Sequence, residues 1–423
     1  MGYDPLVRDY ENGYKGPVHQ HPQQKPTPIS PRPPISPAIT MDLAQYRRIN
    51  NIIERDSADA TYKYALLRGV IEICQQSSHL REDDGDQVSF PLGLIVEKWL
   101  LYYYPIFAAP AFIPQKNGET PDQETGRAVS FRKHFMPVID CYRDRGGISV
   151  FYNDYARGTM PAGIQPAFRT LVKAVRKTIT EMPMKHLGYS QSKEHYSVFD
   201  YDRPLYRISG DGPIDRASLI ENSGRFSLSR DLCTVFEHFG GFISGEESLL
   251  KKWAEFTAAA DRTGTVTEEC MLSLLTKTPT TERAIADARN IYRSVFAEEG
   301  TLTCVWSGRS IHSPEAMHID HVLPFSVWKN NDLWNLLPAL DSVNAKKRDH
   351  IPDPSLLKSR RDCIIGYWDL LHDHAPRPFE REITVSLLSL EAPENDWQDR
   401  AFEHLAEKCA YLIHVRGYEA WTL

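Results

Sequence analysis

The stretch Thr303 to Pro352, TCVWSGRSIHSPEAMHIDHVLPFSVWKNNDLWNLLPALDSVNAKKRDHIP, decides the fold class and carries the chemistry of this chain. Its opening, Thr303 to Trp306, reads as a strand and ends in Ser307-Gly308, a turn; Met317 to Leu323 then supplies a second strand. After a loop that holds Asn330 and Asn331, either Asp341 or Ser342 is a good N-cap for a helix. The pattern is strand, strand, helix, with polar groups concentrated where the three meet. Neighbours in a regular strand point to opposite faces, so Asp320 and His321 can serve one site only if the chain bends, and Pro324 is placed for such a bend.

These residue types suit phosphodiester hydrolysis, which needs a cation to neutralise developing charge and a base to activate water. Asp320 is a hard oxygen ligand suited to magnesium or manganese, and the amide oxygen of Asn344 can be a second. His321, with an intrinsic pKa near ~6.5, is a suitable base at neutral pH. Taken singly, each has a plainer reading. A His beside an Asp is most often a surface pair or a satisfied core group, and Asn335 and Asn344 could be loop and cap residues. Trp306, Trp328 and Trp334 read as module core ahead of base-stacking platforms. Together and in this order, the polar residues point to a catalytic centre.

The elements HxDHxxPxS from His318, WNLLP from Trp334 and NxxK from Asn344 resemble the HNH, or ββα-metal, nuclease superfamily. The Asp-His pair resembles the HNH domain of RNA-guided CRISPR nucleases. The resemblance implies Asp320 as metal ligand, His321 as general base, Asn335 as the brace of the loop and the base, and Asn344 as second metal ligand. Lys347 falls where the family often has a basic residue facing phosphate. It further implies Mg2+ or Mn2+ as cofactor and DNA as substrate, one strand being nicked per site. Paired cysteines are missing, so no structural zinc is expected. The resemblance covers roughly fifty of the 423 residues and leaves residues 1 to 280 unexplained.

The balance of 49 Lys plus Arg against 56 Asp plus Glu gives a formal charge of -7, which argues against a protein that coats nucleic acid through bulk charge. Contact must come from a local patch. Lys346, Lys347, Arg348, Lys358, Arg360 and Arg361, against Asp349 and Asp353, form the best candidate, with a solvated helix face as the equal alternative. The seven cysteines form no CxxC pair and fit a reducing, cytoplasmic setting. The opening MGYDPLVRDYENGYKG does not read as a secretory signal, and Leu6 stands where an acylation motif wants Ser or Thr. Trp99 to Gln115 is charge-free but interrupted by Pro105, Pro110 and Pro114, so it reads as a buried helix end and loop with no membrane span.

The expected fold class is α+β: a predominantly helical N-terminal domain, a small ββα-metal module and a helical C-terminal extension. Residues 1 to 40 should be a disordered proline-rich arm. A helical recognition or regulatory domain spans 41 to 281, with helices near Thr61 to Cys74 and Leu92 to Tyr104. Helical periodicity from Phe131 to Lys177 breaks at Arg145-Gly146-Gly147 and around Pro161; His186 to Gly241 is less periodic, and Glu246 to Phe256 is amphipathic. Ser209 to Pro213 is a turn and lacks the Lys of a phosphate loop; His134, His186 and His195 are too scattered for a metal site. The module, 282 to 352, opens with a helix Glu282 to Phe296 that stops at Gly300. The extension, 353 to 423, should hold helices Ser355 to His372 and Trp397 to Ile413, joined by a strand-like run Glu382 to Leu388. By family analogy, the biology expected is bacterial restriction or anti-phage defence, with a protein partner or a homodimer where both strands are cut. The alternatives are an RNA-cleaving, toxin-like nuclease or an inactive nucleic-acid- or partner-binding protein.

Overall fold

Between Tyr62 and Gln76 apolar residues recur at helical spacing, and the resulting helix buries Leu66, Val70 and Ile73 against the helices Leu92–Phe107 and Arg230–Ile243. The computed structural model describes residues 59–121, 127–187, 198–202, 213–243, 249–279, 282–328 and 331–423, all within the unit Asp42–Leu423. The expected arm, residues 1 to 40, lies outside them, as do Ser209 to Gly212 and His195. Helix Leu92–Phe107 is buried almost all round, with Trp99 and Tyr103 fully enclosed beside Phe131. The helix Arg216–Glu221 comes so near it that a Cβ on Gly93 would sit 2.3 Å from the carbonyl oxygen of Leu219, a spacing only glycine permits.

The chain is α+β, mainly helical with small sheets. The periodic run from Phe131 to Lys177 is three helices, Arg132–Tyr142, Ile148–Arg157 and Gln165–Ile179, and Gly146 (φ 114) and Gly147 (φ 63) make the first break. A four-stranded antiparallel sheet, in the order Glu82–Asp84, Gln87–Pro91, Arg225–Ser229, Asp200–Tyr201, was not anticipated. Its alternation is only five residues long, with Val88 and Phe90 set opposite Leu228 and Phe226, too short to stand out from helical patterning. One hydrophobic core runs through these elements from Tyr62 to Leu275.

A second core joins Ala288 to Trp421. Helix Glu282–Glu299 ends at Gly300 (φ 77), as its composition requires. Four expectations are corrected in this half. Glu382 to Leu388 is no strand, because residues 376–386 form a helix opened by Pro376 at its first position. That helix faces both cores, giving Val385 to the first and Phe379 and Ile383 to the second. Ser355 to His372 is two helices, Pro354–Ser359 and Arg361–His374, while Trp397–His414 is continuous. Within amphipathic Glu246 to Phe256 the described residues, 249–256, are helical, and the helix Lys251–Ala260 runs on past Phe256; 244–248 lie outside the described residues.

The third correction concerns the pairing of strands. Thr303 to Trp306 is strand only at Leu302–Thr303, which pairs with Ser310–Ile311. The partner of strand Met317–His321 is Leu336–Leu340, read from sequence as loop. It escaped notice because it is buried through Ala339 with no polar alternation, and Pro338 sits in its middle. The helix Asp341–Lys347 follows directly, with Leu340 at the N-cap where Asp341 or Ser342 was expected. Among the described residues no helix is long and apolar enough to cross a membrane.

Candidate catalytic site

The hairpin sets Asp320 opposite Leu337 and His321 opposite Leu336, and the helix Asp341–Lys347 packs back over both strands. Lys347, in the last turn of that helix, is fully buried; its Nζ lies 3.3 Å from Asp320 Oδ2 and donates to the main-chain oxygen of His321 at 2.6 Å. Trp306 Nε1 donates to the same Oδ2 at 2.5 Å. Asp320 is 5 % exposed. A carboxylate removed from water this far is tolerable only when paired and hydrogen-bonded, and Lys347 and Trp306 supply both conditions.

The chain turns only past His321; Asp320 and His321 themselves keep regular strand register, without the bend between them expected from the sequence. Asn335 holds the turn: its main-chain oxygen accepts from Val322 N at 2.9 Å, its Oδ1 from Leu323 N at 2.8 Å, and its Nδ2 donates to the Leu323 oxygen at 3.0 Å. With its fully buried amide committed to Leu323 on both sides, Asn335 braces the loop and makes no bond to the imidazole. The residue on the imidazole is Asn331, whose Oδ1 lies 2.5 Å from His321 Nε2. With that oxygen as acceptor, Nε2 carries the proton and Nδ1 keeps its lone pair. Burial pushes the His321 imidazole below its ordinary value, and the bond to Asn331 pulls the other way. A neutral imidazole with a free Nδ1 is what a general base needs.

The loop that carries Asn331 is anchored from the helical half. Asp332, buried, accepts from Ser386 Oγ at 2.6 Å and Trp334 Nε1 at 3.1 Å, and lies 3.9 Å from Arg216 Nη1. Leu333 N donates to Glu382 Oε2 at 2.5 Å, and Glu382 lies 3.5 Å from Arg157 Nε. Arg216 also holds Glu97 at 2.8 Å. Burial raises both the Asp332 and the Glu382 carboxyls, with Arg216 and Arg157 opposing it.

Asn344 is half-buried, and its amide makes no hydrogen bond among the described residues. No group of three or more His, Cys, Asp or Glu side chains there is disposed to hold a metal ion. A divalent cation would therefore rest on Asp320 as its one carboxylate, with an uncommitted amide and water oxygens. That donor set fits magnesium, which keeps several waters and uses one or two carboxylates. Lys347 already stands against that carboxylate, so the ion would share it.

Of the basic run, Lys346, Arg348 and Lys358 are exposed, whereas Lys347 is sealed inside. Arg360 is half-buried, and Arg361 is engaged by Asp362 and Asp399. Arg348 sits at φ 52, a strained position for a side chain, at the helix end. His318 is exposed, 3.8 Å from Asp341. Asn331, Trp306, Arg216, Arg157 and Glu382 were not singled out for roles in the site. Asn331 gave only loop composition, and the others lie 14 residues or more from Asp320 or Asn331 in sequence, so nothing local ties them to it.

Residues 42–275 match the model of a domain of unknown function (DUF8808), a span of more than half the chain, and residues 304–353 match the model of an HNH endonuclease. Comparison with curated proteins and with solved structures finds no match. Residues 304–353 are thus an HNH module, the fold of a nuclease, set behind the other domain.

Proposed function

The chain belongs to the family defined by the domain of unknown function DUF8808, and we propose that in it the HNH module is a metal-dependent endonuclease acting on DNA. The observation that carries this reading is His321, pushed towards the neutral form by burial, held through Nε2 by Asn331 and directly following the buried Asp320 in the strand. In this reading His321 Nδ1 takes the proton from water, while Asn331 and the Asn335-held turn keep the ring in place. Asp320 and Asn344 hold Mg2+ or Mn2+, which supplies charge neutralisation at the phosphate. The fixed Lys347 sets the position of the Asp320 carboxylate and serves no phosphate, so backbone contact falls to Lys346, Arg348 and Lys358.

One such site per chain nicks one strand, and a double-strand break takes a dimer or a second encounter. The Asp-His pairing favours a centre like that of RNA-guided CRISPR nucleases, and a role in restriction or anti-phage defence, with a partner protein, follows by analogy. RNA is the competing substrate. The test is cleavage of supercoiled plasmid, linear duplex and structured RNA with Mg2+, Mn2+ or EDTA. Metal-dependent plasmid nicking that His321→Ala lowers by at least ~100-fold supports the reading; activity that survives in EDTA or in His321→Ala removes it.

A further inference from the structure

Behind the loop that carries Asn331 lies a cavity of ≈ 520 Å³, walled on one side by the helices Tyr62–Gln76 and Leu92–Phe107 and on the other by Val327 and Trp328 of the module. That volume suits a nucleotide-sized ligand. Its charge is unbalanced. Glu72 is engaged by Arg68 and Lys98, and Glu97 by Arg216. Lys277 at the rim and half-buried Arg416 line the cavity, and neither has a carboxylate within ion-pair distance among the described residues.

A third basic group lies behind the wall. Lys408 is 4 % exposed and donates to Gln76 O at 3.1 Å and His79 Nδ1 at 2.9 Å, both residues of the lining. It also stands 4.8 Å from the centroid of the Trp328 ring. Among the described residues no carboxylate pairs with it. Two cations without a carboxylate partner, Lys277 and Arg416, with the buried amine of Lys408 behind them, leave one concave space with a surplus of positive charge that attracts an anion. Tyr152, Trp328 and Tyr418, all half-buried in the lining, offer ring surface to a planar group.

We propose that this cavity binds a small phosphorylated anion of nucleotide size, and that its occupancy is felt at His321. The path is short. Arg216 and Ser386 both line the cavity and both touch Asp332, the residue after Asn331. An anion that draws Arg216 inward weakens its hold on Asp332 and so changes how the loop presents Asn331 to the imidazole. The binding stands on the cavity alone, whereas the effect on His321 rests on the nuclease reading.

The experiment is isothermal titration of the full chain with ATP and, separately, inorganic pyrophosphate, without divalent ions. Saturable binding is expected, weakened at least ~10-fold when both charge-assisted contacts go in Lys277→Ala/Arg416→Ala, and unchanged in Lys173→Ala, an exposed cation outside the lining. Lys277 is exposed, so Lys277→Ala alone still tests the site should Arg416→Ala disturb the fold. ATP binding tighter than pyrophosphate assigns a share to the rings; equal affinities assign it to the phosphates. No binding of either probe at millimolar concentration, binding indifferent to the cavity variants, or displacement of ATP by a single-stranded oligonucleotide overturns the site. Titration of His321→Ala protein gives the same answer whether or not the chain is a nuclease. Saturating ATP should also change the plasmid cleavage rate of the wild type and leave that of the double variant unmoved; an unmoved wild type overturns the coupling.

Discussion

Lys347 Nζ, with no solvent exposure, lies 3.3 Å from the carboxylate of Asp320. The pair ties the last turn of the helix to the strand end on which the site is built. Removing only the cation leaves a buried carboxylate uncompensated. Lys347→Met should therefore cost about 3–5 kcal/mol of stability, as read from urea unfolding. Adding Asp320→Asn should recover part of that loss, and two additive single effects would show that the ion pair is not what holds the turn.

Asn331 orients His321 by one bond to Nε2. Asn331→Ala should keep the melting temperature within a few degrees while lowering plasmid cleavage by about 10–100-fold, the usual effect of removing a group that orients an active-site imidazole. Unaltered cleavage would return the role of brace to Asn335. Asn335→Ala, by contrast, strips two buried side-chain hydrogen bonds from the turn and should lower stability itself, by about 2 kcal/mol or more at about 1 kcal/mol or more per bond.

Arg216 reaches from the helical half to Asp332 while holding Glu97. Arg216→Met leaves two buried carboxylates without their cation, so both stability and cleavage should fall together. Glu97→Gln in the same chain relieves one of the two and should raise stability relative to Arg216→Met. A double variant no more stable than Arg216→Met would mean that Glu97 is not strained by the loss.

Burial pushes Lys408 down to about 7, against which Glu407 and Cys409 act weakly, while His79 beside it is itself pushed well below its ordinary value. The unfolded chain keeps its lysine near ~10.4. From about pH 7 to ~10 the unfolded state therefore binds the extra proton, and this group's contribution to stability rises with pH across that window. Lys408→Met removes the dependence. Unfolding at pH 7.5 and 9.5 should show the wild type gaining on the variant as pH rises, and a constant difference would mean that the amine is not desolvated.

Much of this protein is legible along the chain. Local chemistry located the helices from Tyr62 and Leu92, the stop at Gly300 and the order Asp320, His321, Asn335, Asn344, because helical periodicity, left-handed glycine and a short polar motif are each written within a few residues. The strand Leu336–Leu340 stayed hidden because burial through most of its length erases the alternation that marks a strand. Lys347 read as a phosphate-facing base from its place in a basic run; only the packing of its helix over strand Met317–His321 turned it inward to Asp320. Asn331 and Asn335 are equivalent in composition, and the turn alone decides that one grips the backbone and the other the imidazole. The contacts from Arg157 to Glu382 and from Arg216 to Asp332 span more than a hundred residues, and such pairings leave no local pattern: they exist only once two separately built cores are brought face to face.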